Sequence, residues 1–154
     1  MGMIGQYIAV SPQTLQDITE GKTDIHDIEV GLDIDKAWQV LHYVLCGDIV
    51  EGEPPLGYIV PMQGGYIGEF SDMHVFAVSP DQIREALAAI EPLTADDLKR
   101  QYNYEELLEE EVYPVMPDED PEELFDYIFS NFAAIREFYA QAAAKEQTVL
   151  FYVS

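Results

Sequence analysis

At 154 residues, 48% of them apolar, the chain can bury one sizeable core and is not disordered by composition. Thirty acidic residues against seven Lys and Arg give a formal net charge of -23. This argues against nucleic acid and anionic membranes as direct partners and favours a basic protein. One cysteine excludes an internal disulfide and a thiolate metal cluster, and it fits a reducing compartment.

The opening "MGMIGQYIAV" has no basic region and no long apolar run, so a cytoplasmic protein is expected rather than a secreted one. Its Met1-Gly2 start fails the myristoylation pattern because position 6 is Gln6. No apolar stretch approaches the roughly 20 residues of a transmembrane helix. "MIGQYIAV" reads as a strand. Ser11 then caps a helix that has Pro12 at its first position and Gly21 as its stop. In "DIHDIE", Asp24, His26 and Asp27 combine carboxylates with an imidazole, but the spacing matches no common metal motif, and no metal is expected.

"LDIDKAWQVLHYVLCG" holds the only Trp and the only Cys. Asp33 can cap a helix from Ile34 to Cys46, and Gly47 can stop it. Ile34, Ala37, Trp38, Leu41 and Leu45 form its buried stripe. Asp35, Gln39, His42 and Cys46 form a second line. That line has two readings. Asp35, Trp38 and His42, with Tyr113, could line a ligand pocket in which His42 is acid, base or ligand. Alternatively, Trp38 is a core anchor and His42 is satisfied by a backbone carbonyl.

"GYIVPMQGGYIGEF" supplies one or two strands, with Pro61 marking an edge or break and "GGYIG" a turn or hairpin. "HVFAV" at 74–78 is a strand. Ser79, Pro80 and Gln82 open a capping-box helix with Ile83, Leu87 and Ile90 on one face. Thr94 with Asp97, and Asn103 with Glu106, open two short helices, the second running to about Glu111 and ending before Pro114. Asp120-Pro121 opens a long helix to about Lys145, striped by Leu124, Ile128, Phe132, Ile135 and Tyr139. "TVLFYV" closes the chain as a strand apolar on both faces. The expectation is a single α/β domain over 1–154. Its mixed central β-sheet is flanked by helices in three layers, α/β/α.

No G-x-S-x-G, H-E-x-x-H or Walker pattern occurs, and no cofactor is expected. Between Gln101 and Ile135 there are eleven acids and no Lys or Arg. Glu122 and Glu123 suit a helix N-terminus, but eleven exceed what caps require. Glu105, Glu106, Glu109, Glu110, Asp118, Glu119, Asp120 and Glu122 form either a docking face for a basic protein or a solvated surface.

The Leu-Asp-x-Asp-Lys-x-Trp-x-x-Leu-His pattern of the 32–47 stretch resembles that of the YfbM-like family, a bacterial domain of unknown function. The likeness extends to "MGMIG", "VSPDQIREALAAI" with "LKRQYN", Tyr113-Pro114, and "FAAIREFYAQAAAKEQTVLFYV". The resemblance implies a mixed α/β fold with a central sheet and no transferable activity. By analogy it also implies kinship with immunity proteins of bacterial toxin systems. Two functions are therefore expected in competition. One is an acidic, immunity-type binding module that neutralises a basic toxin or effector. The other is a small enzyme or ligand binder built on Trp38 and His42.

Overall fold

The structure, a computed structural model, describes residues 3–154; the Met1-Gly2 start lies outside the described residues. Five strands form one sheet: β1 (Gly5–Val10), β2 (Leu32–Asp33), β3 (Tyr66–Phe70), β4 (Met73–Val78) and β5 (Thr148–Val153). Their order is β2-β1-β5-β4-β3, and every pairing is antiparallel. The expected mixed sheet is thus corrected to an antiparallel one. A lone crossover helix carries the chain back to the far end of a sheet and yields a parallel neighbour. Here the chain leaves at Val78, passes through four helices, and re-enters beside its exit, with Val78 opposite Val149. The two terminal strands pair along their whole length, from Gly5 opposite Val153 to Val10 opposite Thr148. Both ends of the domain are therefore anchored in the sheet.

The helices are α1 (Pro12–Thr19), α2 (Trp38–Cys46), α3 (Pro80–Ile90), α4 (Ala95–Gln101), α5 (Tyr104–Glu109) and α6 (Pro121–Ala144). Ser11, Ser79, Thr94, Asn103 and Asp120 cap α1, α3, α4, α5 and α6 with side-chain oxygens, each offsetting an orphan backbone N–H. The start of α2 departs from expectation. Ile34 N–H donates to the Gly5 carbonyl, and residues 32–33 pair with β1 as an edge strand. Asp33 accepts from the Asp35 N–H at 2.7 Å, but Asp35 has φ +53° and a 3₁₀ turn (Asp35–Ala37) intervenes. The edge of β1 thus captures the stretch that propensity would have given to the helix. In the 57–70 region only β3 is a strand. The segment before it is a 3₁₀ turn (Leu56–Tyr58) leading into buried Ile59 and Val60. The β3–β4 hairpin turns on Ser71 and Asp72, both at positive φ, as a two-residue turn of matching twist requires.

Alternation along the strands divides the core into two clusters. Tyr7, Val78, Val149 and Phe151 pack with buried residues of α2, α3 and α6, including all five of the stripe residues from Leu124 to Tyr139. Ile8, Val10, Met73, Val75, Leu150 and Tyr152 pack with Ile18 of α1 and Ile25. Full burial of such side chains stabilises by about 1.5–3 kcal/mol each, so β5, buried on both sides over five of its six residues, is the axis of the fold.

Candidate functional site

Trp38 and His42 lie one turn apart on α2, and both are buried. Trp38 Nε1–H donates to the Met3 carbonyl at 2.9 Å, and its ring lies 5.6 Å from that of Tyr113. The Tyr113 hydroxyl accepts from Met3 N–H at 3.0 Å, and Tyr113 N–H donates to Gln39 Oε1 at 2.8 Å. Together they clamp the backbone that enters β1.

His42 is 1% exposed. Its Nδ1 lies 3.1 Å from the Val60 carbonyl and its Nε2 lies 3.2 Å from the Glu51 carbonyl. A neutral imidazole has one N–H, so it donates to one carbonyl at a time. Burial pushes its pKa below the ordinary histidine value, against the opposing pull of the two carbonyls and Asp48. The ring is one of three side chains that grip the same inner loop. Tyr139 donates to the Tyr58 carbonyl and Tyr7 to the Ile59 carbonyl, each at 2.6 Å. Gly52 touches this assembly closely, since a Cβ there would lie 2.9 Å from His42 Cε1. Burial, then Asp48, pushes the nearby Cys46 thiol up to about 11, so it is a thiol and not a thiolate nucleophile at neutral pH.

Of the four proposed pocket residues, Trp38 and Tyr113 are brought together ring against ring, Asp35 lines a recess that adjoins the one lined by Tyr113, and His42 stands apart with both nitrogens facing carbonyls. Asp24 caps a 3₁₀ turn, accepting from the His26 N–H and from Ser71 Oγ. Among the described residues no group of three His, Cys, Asp or Glu side chains is placed to hold a metal ion. His74 joins an exposed cluster on the hairpin, 2.9 Å from the Tyr66 hydroxyl and 3.7 Å from Glu69 Oε2.

The acids form a different arrangement. A cleft of about 550 Å³ is lined by Asp35, Lys36, Pro114, Met116, Asp118, Glu119, Asp120, Glu123, Leu124 and Tyr127. Tyr127 bridges its walls, donating to Asp35 Oδ2 at 2.8 Å and accepting from Lys36 N–H at 3.1 Å. Burial, followed by the contact with Asp35, pushes the Tyr127 phenol pKa upward. Asp120 Oδ1 accepts from Glu122 N–H as the cap of α6, and Glu119 Oε2 accepts from Met116 N–H at 3.3 Å. A second recess of about 630 Å³ shares Lys36, Pro114 and Met116 and continues over Leu108, Glu111, Val112, Tyr113, Val115 and Pro117.

Asp35 therefore belongs with Asp118, Glu119 and Asp120 rather than with His42. The acids of α5 are placed differently. Glu105, Glu106, Glu109 and Glu110 are all exposed, and Glu106 and Glu110 lie on the side of the Tyr43 phenol, whose pKa is raised by burial and then by these two carboxylates. Glu122 is exposed on the first turn of α6. Lys36, Met116, Glu123 and Tyr127 are cleft residues that sequence reasoning missed. Met116, an apolar side chain set in the polar run "PVMPDED", was the available signal; Tyr127, 92 residues from Asp35, left none.

The family model described as a domain of unknown function (DUF1877) matches residues 1–152. Protein YfbM of Escherichia coli (strain K12) is 27% identical, with 74% of each chain covered. The crystal structure of YfbM from Escherichia coli, described as a protein of unknown function, superposes with a TM-score of 0.80 at 22% identity. The superposition covers 98% of this chain and 99% of that one, and it supports the fold alone.

Proposed function

Since the chain belongs to the DUF1877 family, described as a domain of unknown function, we propose from its own site that it is an acidic binding module for a basic protein. An immunity-type role, in which it occludes a basic toxin or effector in the cytoplasm, fits this chemistry. One observation carries the reading. Asp35 and four carboxylates of the cation-free 101–135 stretch line the same cleft, with Lys36 as the cleft's one cation. Five carboxylates against one ammonium attract a cationic surface and steer its approach. Among the described residues no helix is long and apolar enough to cross a membrane. The two core clusters support a three-layer α/β/α arrangement for the scaffold, with α1 contributing to one and α2, α3 and α6 to the other.

The test is capture of partners from the native cell on immobilised protein, followed by association kinetics at increasing salt. The expected result is a partner whose association rate falls steeply between about 50 and 200 mM salt, as screening over roughly 10 Å demands. A captured partner whose association rate ignores salt would remove the acidic cleft from its recognition.

A further inference from the structure

The acidic cleft has an apolar neighbour, and the residue at their shared wall is displayed in an unusual way. Met116 is 60% exposed, the highest value among the large hydrophobic side chains that are exposed in the described residues. Its backbone is nevertheless held on both sides. Its N–H donates to Glu119 Oε2, and its carbonyl accepts from the Tyr104 hydroxyl. A tethered backbone carrying a flexible, polarizable and solvent-facing side chain is a preorganised apolar anchor. On one side of it lie Asp118, Glu119 and Glu123; on the other lie Val115 and Pro117 above the buried Val112, with Glu111 at the rim. Lys36 borders both recesses, and among the described residues it takes part in no ion pair.

We infer that these two adjoining recesses are one groove for a basic amphipathic helix of a partner protein, with an apolar side chain of that helix seated on Met116. This deepens the basic-partner reading and rests on it. Charge complementarity selects the occupant. The carboxylate-lined recess accepts Lys or Arg, the apolar recess accepts aliphatic side chains, and a helix presents both within one turn. The free ammonium of Lys36 repels cations from the shared wall, so basic residues are directed to the α6 side and the register is defined. A strand is the poorer fit. The nearby edge strand, β2, has two residues, too few to template an added strand.

The test uses the full chain and two fluorescently labelled peptides of about 18 residues and identical Leu/Lys composition. One is patterned with helical periodicity and the other is shuffled to remove it, and binding is read by anisotropy at low salt. The expected result is at least about ten-fold tighter binding of the patterned peptide. Met116→Asp should abolish that preference, and Met116→Gln, milder and isosteric, should reduce it, with circular dichroism confirming the fold of both. Asp118→Lys with Glu123→Lys should weaken both peptides alike. Equal binding of the two peptides, unchanged by either Met116 variant, would overturn the groove while leaving acidic docking standing. A peptide of the same composition patterned with period two that binds more tightly would overturn the helix. Failure of every peptide to bind at low salt would overturn the groove and the basic-partner reading together.

Discussion

The loop at 58–60 and the groove at 114–124 are built from similar materials to opposite ends. In the loop, Tyr7, His42 and Tyr139 turn their polar atoms inward onto the carbonyls of Ile59, Val60 and Tyr58. In the groove, Asp118, Asp120 and Glu123 are exposed around an apolar side chain that nothing covers. A buried polar group contributes by satisfying another buried group, so its loss is felt as instability. An exposed carboxylate contributes little to stability and much to the field seen by a partner. Within the one stretch 32–47 the contrast is local: His42 faces the inner carbonyls, and Asp35 lines the exposed cleft.

The sharpest way to break this contrast is to empty the inner loop of a gripping ring. Tyr139→Ala removes a fully buried aromatic and should cost about 3–5 kcal/mol by urea unfolding. Tyr139→Phe retains the ring and should cost about 1–3 kcal/mol. A full-sized loss in the Phe variant would show that the hydrogen bond, not the ring, dominates. Next comes Gly57→Ala. Its Cβ would lie 2.3 Å from the Gly52 carbonyl oxygen, so the loop must shift, at about 1–3 kcal/mol. A neutral or stabilising result would mean that this loop yields freely and is not gripped.

The pH dependence sharpens the comparison further. Burial holds the folded-state pKa of His42 below its ordinary 6.5, so protons favour the unfolded chain. The contribution of neutral His42 is complete above pH 6.5 and is lost as pH falls through the depressed folded value. The difference in stability between the protein and His42→Gln, measured by urea unfolding across this range, should shrink as pH falls. A difference that grows toward acid would show that the two carbonyls hold an imidazolium instead. The smallest stability effect belongs to the groove. Asp118→Lys with Glu123→Lys takes the formal charge from -23 to -19; relief of net repulsion offsets the loss of Glu123 from the α6 N-terminus, and the Tm should change only slightly. A large fall in Tm would give these carboxylates a structural role and erase the contrast.

Much of the fold was legible. The caps at Ser11, Ser79, Thr94, Asn103 and Asp120 were readable because each rests on a hydrogen bond within three residues. The α6 stripe was readable because a 3.6-residue period needs no partner to be seen. The ends of the chain read as strands because β-branched and aromatic runs fit a pleated, buried surface. The candidate site was legible only in its charge. That Asp35 stands across from Asp118 and Asp120 depends on Tyr127, which reaches it from α6, and no local pattern encodes a contact over 92 residues.

The sequence by itself determined where five of the six helices begin, that α6 buries the stripe from Leu124 to Tyr139, and that a stretch with no Lys or Arg runs from 101 to 135. These follow from short-range hydrogen bonding, periodicity and composition. Only the tertiary structure decided that the sheet is antiparallel, because strand direction depends on where a four-helix connection re-enters. Only it moved the start of α2 from Ile34 to Trp38, because the edge of β1 competed for residues 32–34 and won. It also turned His42 toward Val60 and Glu51 and left Met116 uncovered. In each case the deciding contact lies between segments that local sequence cannot bring together.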